Sequence, residues 1–503
     1  MCSSPYILPH THIPRYETPR PTGSNQSSGT SRQAIFSNTS HVGLVRSIEQ
    51  ASHDDVSRCQ DRQQKRQHPG LPVGQGVIAR ESGQSMIGEF PRFDMVRRPT
   101  RQWRFLTPVT WAVTYPRALW RRSKLDDSGL PHDLKPPYFL LCNHNAFLDF
   151  TVTTKVIFPH RANYVIAVDG FLHIEGLLRR VGGIGTRKFV SNRHMVMNML
   201  AAREFGDVMV MYPEARYSLC GTESQLPGSV GKMIKSMDIP VVTLIMHGHH
   251  VDAPIWHGRV HGVKHVEAEA KLLLTLEEVR TLPVDEINAR LADAFAYDDF
   301  AWQKARGIRI RDPRRAEGLH KVLYQCPSCM TEYEMQSQGV TLSCGHCGKS
   351  WRMSELGELR ATTGETEFSH IPDWYEWERA NVALEVETGA YGTDTAVRIE
   401  SLPNSKGFVT FNEPGRLTHG EDGFKLTGVY NGEPFSIDWP VSSLIACHIE
   451  YNYKKRGDCI DLSTLDDSFY LFPQDSDVSV TKIALATEEL YRRAQAQREV
   501  SKL

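Results

Sequence analysis

Leu141-Cys-Asn-His-Asn-Ala-Phe-Leu-Asp149 places His144 five residues before Asp149, directly after the apolar run Tyr138-Phe-Leu-Leu-Cys142. An apolar run of this length that ends in Asn-His-Asn reads as a buried strand passing into a loop. An Asp about one helical turn beyond a strand-end His can hold the imidazole by its Nδ1–H. Nε2 is then left to take a proton from a hydroxyl, with no Ser or Cys nucleophile required. With 21 His in the chain, that spacing alone is weak. The segments that follow it give it weight.

Downstream lies Leu177-Leu-Arg-Arg-Val-Gly-Gly-Ile-Gly-Thr-Arg-Lys188, where three glycines permit close backbone approach to a ligand and Arg187 and Lys188 add positive charge. Val208-Met-Val-Met-Tyr-Pro-Glu-Ala-Arg-Tyr-Ser218 then carries Glu214, Arg216 and Ser218 to the end of a second apolar strand. Ile239-Pro-Val-Val-Thr-Leu-Ile-Met246 is a third, with Pro240 at its start, where a missing N–H is tolerated.

In this order and at these separations, the four blocks resemble the glycerolipid (lysophospholipid) acyltransferase superfamily, over roughly residues 136–255. The resemblance implies O-acyl transfer from acyl-CoA or an acyl-carrier protein to a lysophospholipid or glycerol phosphate. His144 would be the general base and Asp149 its orienting partner. Asn143, Arg187, Lys188, Glu214, Arg216 and Ser218 would form the substrate-binding set, with Glu214 and Arg187 toward the acceptor's phosphate end. Two departures are visible. The family's Gly-Thr-Arg-Ser is Ala215-Arg216-Tyr217-Ser218 here, so the Arg falls one place early. The Gly-rich block is one residue short, so Arg187 or Lys188 is the aligned cation. A degenerate member acting as a lipid-binding or scaffold protein is the alternative, and a hydrolase using water on the same His–Asp pair is a third reading.

A chain of 503 residues with a net charge of −1 is long enough for several domains and has no overall electrostatic pull toward nucleic acid. No apolar run reaches the roughly 18 residues of an ordinary membrane span. Met1-Cys-Ser-Ser-Pro-Tyr lacks a basic start followed by an apolar stretch, so no signal peptide is expected and a cytoplasmic location is. Residues 1–98, rich in Ser, Thr, Gln, His, Arg and Pro, are expected to be disordered. Residues 99–135 mix Trp103, Trp111, Tyr115 and Trp120 with Arg, a composition suited to a bilayer surface, with Pro108 and Pro116 breaking any long helix. Peripheral association with the inner face of a membrane is the expectation.

Residues 136–310 alternate apolar strands with helical stretches and read as an α/β domain with a central mixed sheet. Cys326-Pro-Ser-Cys329 and Cys344-Gly-His-Cys347, fourteen residues apart, have the spacing of a four-cysteine zinc ribbon over 320–355, with structural zinc as its cofactor. The acidic flank Met330-Thr-Glu-Tyr-Glu334 disfavours nucleic acid and leaves a structural or protein-docking role. Residues 370–500 read as antiparallel strands closed by a helix from Val478 to about Gln497, resembling a pleckstrin-homology (PH) or GRAM-like barrel. Val382–Thr388 is read there as a strand, and Asn431-Gly432 as a hairpin turn.

Overall fold

The computed structural model describes residues 90–501. Most of the segment expected to be disordered, 1–89, lies outside the described residues. Its last part is packed: Phe93 is buried, its ring lies 5.1 Å from Phe171, and its N–H bonds Pro403 O at 2.9 Å.

Seven strands form the first sheet: β1 (Lys124–Gly129), β2 (Phe139–Cys142), β3 (Ala162–Ala167), β4 (Gly183–Thr186), β5 (Val208–Met211), β6 (Val241–His247) and β7 (Glu267–Leu274). Their order is β1-β7-β6-β2-β5-β3-β4, parallel throughout except for the antiparallel β6–β7 pair. The sheet is mixed, as the sequence leads one to expect. Phe139–Cys142 and Val208–Met211 are buried along their whole length, which is why they read as unbroken apolar runs rather than alternating ones. β6, β2 and β5 are adjacent and parallel, so the loops after them meet at one end of the sheet, where open α/β sheets place their ligands.

The helix Leu106–Trp120 is one element, not the broken pieces expected from its prolines. Pro108 sits in the first turn, where its absent N–H is unneeded, and Pro116 is accommodated inside the helix. Its inner face packs on the helix Asp149–Ile157, with Thr114 Oγ1 and Thr154 Oγ1 2.7 Å apart. The opposite side leaves Phe105, Val109 and Val113 exposed at four-residue spacing, with Leu119 and Trp120 exposed at its end. No helix among the described residues is long and apolar enough to cross a membrane.

A four-stranded antiparallel sheet follows, β8 (Met335–Gln338), β9 (Thr341–Cys344), β10 (Ser350–Met353) and β11 (Leu359–Ala361). The helix Ile371–Thr388 comes next and absorbs the strand expected at 382–388. The alternation there is incidental. Trp374, Glu378, Val382 and Val386 recur every four residues and are all buried, and Pro372 opens the helix.

The C-terminal region is one eight-stranded antiparallel sheet that includes β12 (Thr393–Leu402), β14 (Gly415–Gly420), β15 (Gly423–Tyr430), β16 (Glu433–Pro440), β17 (His448–Glu450), β18 (Cys459–Ser463) and β19 (Ser468–Pro473), with the short β13 (Val409–Thr410) beside β12. Asn431 and Gly432, both at positive φ, form the two-residue turn between β15 and β16. The end strands β16 and β17 are not paired with each other, so among the described ladders the sheet is open rather than a closed barrel. The helix Val480–Val500 packs against it. One apolar core joins ribbon, sheet and helices through Trp351, Trp374, Val397 and Ile483, and reaches the α/β layer at Leu219 and Trp256.

Candidate active site

β2 ends at Cys142, and Asn143 closes the strand inward: its side chain donates to Met246 O (3.0 Å) and accepts from Met246 N (2.8 Å). Expected among the substrate-binding residues, Asn143 is fully buried and ties the β2 and β6 ends together. The chain then turns, so that His144 Nδ1 lies 3.0 Å from Asp149 Oδ2. The same carboxylate oxygen accepts the backbone N–H groups of Asn145 (2.7 Å) and Ala146 (3.0 Å), in the loop that leads into the helix Asp149–Ile157. Five residues is thus the spacing that lets one Asp brace the loop before its helix and aim the imidazole.

The other oxygen, Oδ1, lies 2.7 Å from His249 Nδ1, so Asp149 holds two imidazoles. Sequence reasoning passes over His249. Its signal is there in Met246-His-Gly-His-His250, three histidines at the end of an apolar strand. Burial raises the Asp149 carboxyl, but the hydrogen bonds from His144 and His249 outweigh it and hold the group down at about 2. A carboxylate that stays ionised favours the proton on each Nδ1 and leaves each Nε2 with its lone pair. Among the described hydrogen bonds none engages His144 Nε2, and the His144 side chain keeps 24% of its exposure. The rings of Tyr212 and Tyr217 flank it, each with its centroid 4.3 Å from the imidazole.

Glu214 enters behind the loop from the end of β5. Its Oε2 accepts His144 N–H and its Oε1 accepts Ser224 N–H, both at 2.7 Å. The side chain has no exposed surface, and burial lifts its carboxyl to about 8 against those backbone donors. It therefore fixes the backbone that carries the imidazole rather than facing an open cleft. Ser218 is likewise internal: its N–H donates to His144 O (2.9 Å) and its Oγ donates to Thr222 O (2.6 Å).

Of the three cations expected to meet an acceptor phosphate, Arg187 and Arg216 are held chiefly by the C-terminal sheet and its helix, and Lys188 is shared between Asp169 of the α/β layer and Asp461 of that sheet. Arg187 donates to the carbonyls of Leu402 (3.1 Å), Pro403 (3.1 Å), Leu465 (3.3 Å) and Asp466, and to Ser468 Oγ (2.9 Å). Lys188 Nζ lies 2.9 Å from Asp169 and 3.3 Å from Asp461. Arg216, one place earlier than the family pattern has it, pairs with Glu488 of the last helix and is 3.3 Å from Ser224 Oγ. Arg187 and Arg216 are buried and the Lys188 side chain nearly so; each is paired within the chain, although Arg216 Nη1 is buried without a hydrogen-bond partner. His144, Asp149 and Glu214 are thus brought together, whereas Arg187, Lys188 and Arg216 are turned to the C-terminal region.

The four ribbon cysteines converge. Sγ–Sγ distances are 3.8 Å for Cys326–Cys347 and 3.7 Å for Cys329–Cys344. Thiolates about 2.3 Å from one tetrahedral zinc stand about 3.8 Å apart, so the four side chains fit that ion. His346 is not part of the cluster.

No family model matches the sequence, and no curated protein matches it either. Among solved structures, the chain is similar to the 1-acyl-sn-glycerophosphate (LPA) acyltransferase PlsC from Thermotoga maritima. The identity is 14% and the TM-score 0.30, over 38% of this chain and 79% of that one.

Proposed function

We propose that the chain transfers an acyl group from acyl-CoA or an acyl-carrier protein to a hydroxyl of a lysophospholipid or glycerol phosphate. The observation that carries this reading is the 3.0 Å contact between His144 Nδ1 and Asp149 Oδ2, with Nε2 outside any described hydrogen bond. His144 takes the acceptor's hydroxyl proton as the oxygen attacks the thioester carbonyl. The tetrahedral intermediate then collapses, the C–S bond breaks, and the thiolate leaves with a proton returned from His144. The thioester is already activated, so no covalent enzyme intermediate is needed. A positioned general base contributes on the order of 10²–10⁴-fold, and positioning supplies much of the rest.

The exposed Phe105, Val109 and Val113, on a helix packed against the one that Asp149 begins, support docking on a lipid surface. Phe147, three residues after His144, is exposed as well. The ribbon would hold structural zinc and, through the part of its acidic flank not paired with Lys482, offer a face to a protein partner.

A specific observation favours a second reading, a lipid-binding or scaffold protein built on this fold. Arg187, Lys188 and Arg216 are engaged by the C-terminal region. An acceptor phosphate must then be held by other groups, or that region must move.

Purified full-length chain, assayed with acyl-CoA and a panel of lysolipids beside His144→Ala, tests both. Acyl transfer that falls about a hundredfold or more in the variant supports catalysis. Tight lipid binding without turnover supports the second reading, and free fatty acid as sole product indicates hydrolysis. Undiminished transfer in His144→Ala removes the assignment.

A further inference from the structure

Between the short helix His249–Asp252 and β7, the loop Trp256-His-Gly-Arg-Val-His261 puts two imidazoles side by side, with ring centroids 4.2 Å apart. The carboxylate of Asp312, from the segment leading into the ribbon, completes a group whose ligand atoms all lie within 4.8 Å of one another. The backbone that presents them is fixed on both sides. His261 N–H bonds Asp252 O at 2.7 Å, and Asp252 in turn accepts Val263 N–H and pairs with buried Arg121. On the other side, Arg315 donates to Met353 O of β10 at 2.7 Å. Gly318 packs so closely on the loop that a Cβ there would stand 2.1 Å from Trp256 O.

Within this frame the polar atoms stand where the ligands of one cation would. His257 Nε2 is 2.8 Å from Arg314 O, and its Nδ1 is 3.3 Å from Arg259 O. A neutral imidazole has one N–H, so it serves one carbonyl and turns a lone pair toward the other. The shorter contact puts the proton on Nε2, which is how a metal-bound histidine is commonly braced, and leaves Nδ1 as the electron-pair donor. The His261 side chain is 1% exposed, and its Nε2 is buried without a hydrogen-bond partner. Its Nδ1 stands 3.3 Å from Asp312 Oδ2, longer than the 2.7 Å of the His249–Asp149 contact. Two ligands about 2.0–2.1 Å from one tetrahedral ion are about 3.3 Å apart.

We infer that His257, His261 and Asp312 form a second divalent transition-metal site, separate from the four cysteines. It clasps the α/β layer to the segment that enters the ribbon. Two imidazoles and one carboxylate suit zinc, cobalt(II) or iron(II) and leave a coordination position for water. The site owes nothing to the proposed acyl transfer and stands or falls apart from it.

Titration of metal-free full-length protein with cobalt(II) tests it. The four thiolates give an intense sulfur-to-metal charge-transfer band with the first equivalent. A second equivalent that adds only weak ligand-field absorption, and that is lost in His261→Ala, is the expected result. His257→Gln, at a less buried position, gives the same loss if His261→Ala fails to fold. Saturation at one equivalent in the wild type overturns the site, as does a second equivalent that persists in a folded His257→Gln or His261→Ala protein.

Discussion

Arg187 Nη1 donates to Ser468 Oγ at 2.9 Å across 281 positions of chain. With the carbonyls of Leu402, Pro403, Leu465 and Asp466 around it, this guanidinium fastens the Gly-rich segment of the α/β layer to β12, β19 and the loop between β18 and β19. Its neighbour Lys188 does the same with Asp461 of β18.

Arg187→Ala should therefore act on stability. Removing the guanidinium strands several buried acceptors, at about 1–3 kcal/mol for each one left unpaired. The expected outcome is a lower midpoint in urea and faster hydrogen exchange in the β18–β19 hairpin. A raised KM for a phosphorylated acceptor at unchanged stability would instead return Arg187 to the substrate.

Asp149 gives a pH signature. Its folded value of about 2 lies below the unfolded value near 3.8, so its contribution is fully present above about 4 and is lost as pH falls through 2. The difference corresponds to roughly 2 kcal/mol at neutral pH. Urea unfolding of the wild type should weaken through this acid window, and the dependence should flatten in Asp149→Asn. The same variant should lose turnover more than acceptor binding, because the imidazole is no longer held on Nδ1.

The exposed helix face makes a separate prediction. Val109→Glu and Val113→Glu lie opposite the buried Thr114 and Ala118, so the fold should tolerate both. Sedimentation with anionic liposomes should fall sharply in the double variant while the melting temperature stays within a few degrees. Unchanged sedimentation would remove the lipid-surface reading of this helix.

Cys329→Ser should leave a three-thiolate site, weaken zinc retention and destabilise the shared core, since Cys326 and Cys344 pack in it with Trp351 and Trp374. Elemental analysis together with thermal unfolding, with and without a chelator, reads this directly. A chelator that leaves the melting temperature of the wild type unchanged would argue that the ribbon stands without metal.

How far residues could be read in advance followed the range of the interactions that place them. The His144–Asp149 pair, the ribbon cysteines and the Asn431-Gly432 turn are set by neighbours close in the chain, so their spacing already carries the geometry. Arg187, Lys188 and Arg216 have partners more than 270 positions distant, and no local pattern announces such a partner. Glu214 shows the intermediate case. Its arrival beside the His144 loop follows from strand order, but its use as a brace for backbone amides depends on a burial that composition does not reveal. At 382–388 the fault was the width of the view. Seven residues alternate, whereas the eighteen-residue helix that contains them shows a four-residue period.

The pairing of Arg216 with Glu488 also orders events during synthesis. When the ribosome has finished the seven-stranded layer, the anion that matches this arginine is still some two hundred codons from being made. Until the helix Val480–Val500 docks, the loop after β5 lacks this partner for its cation. The layer that carries His144 thus gains this contact only once the helix Val480–Val500 is in place.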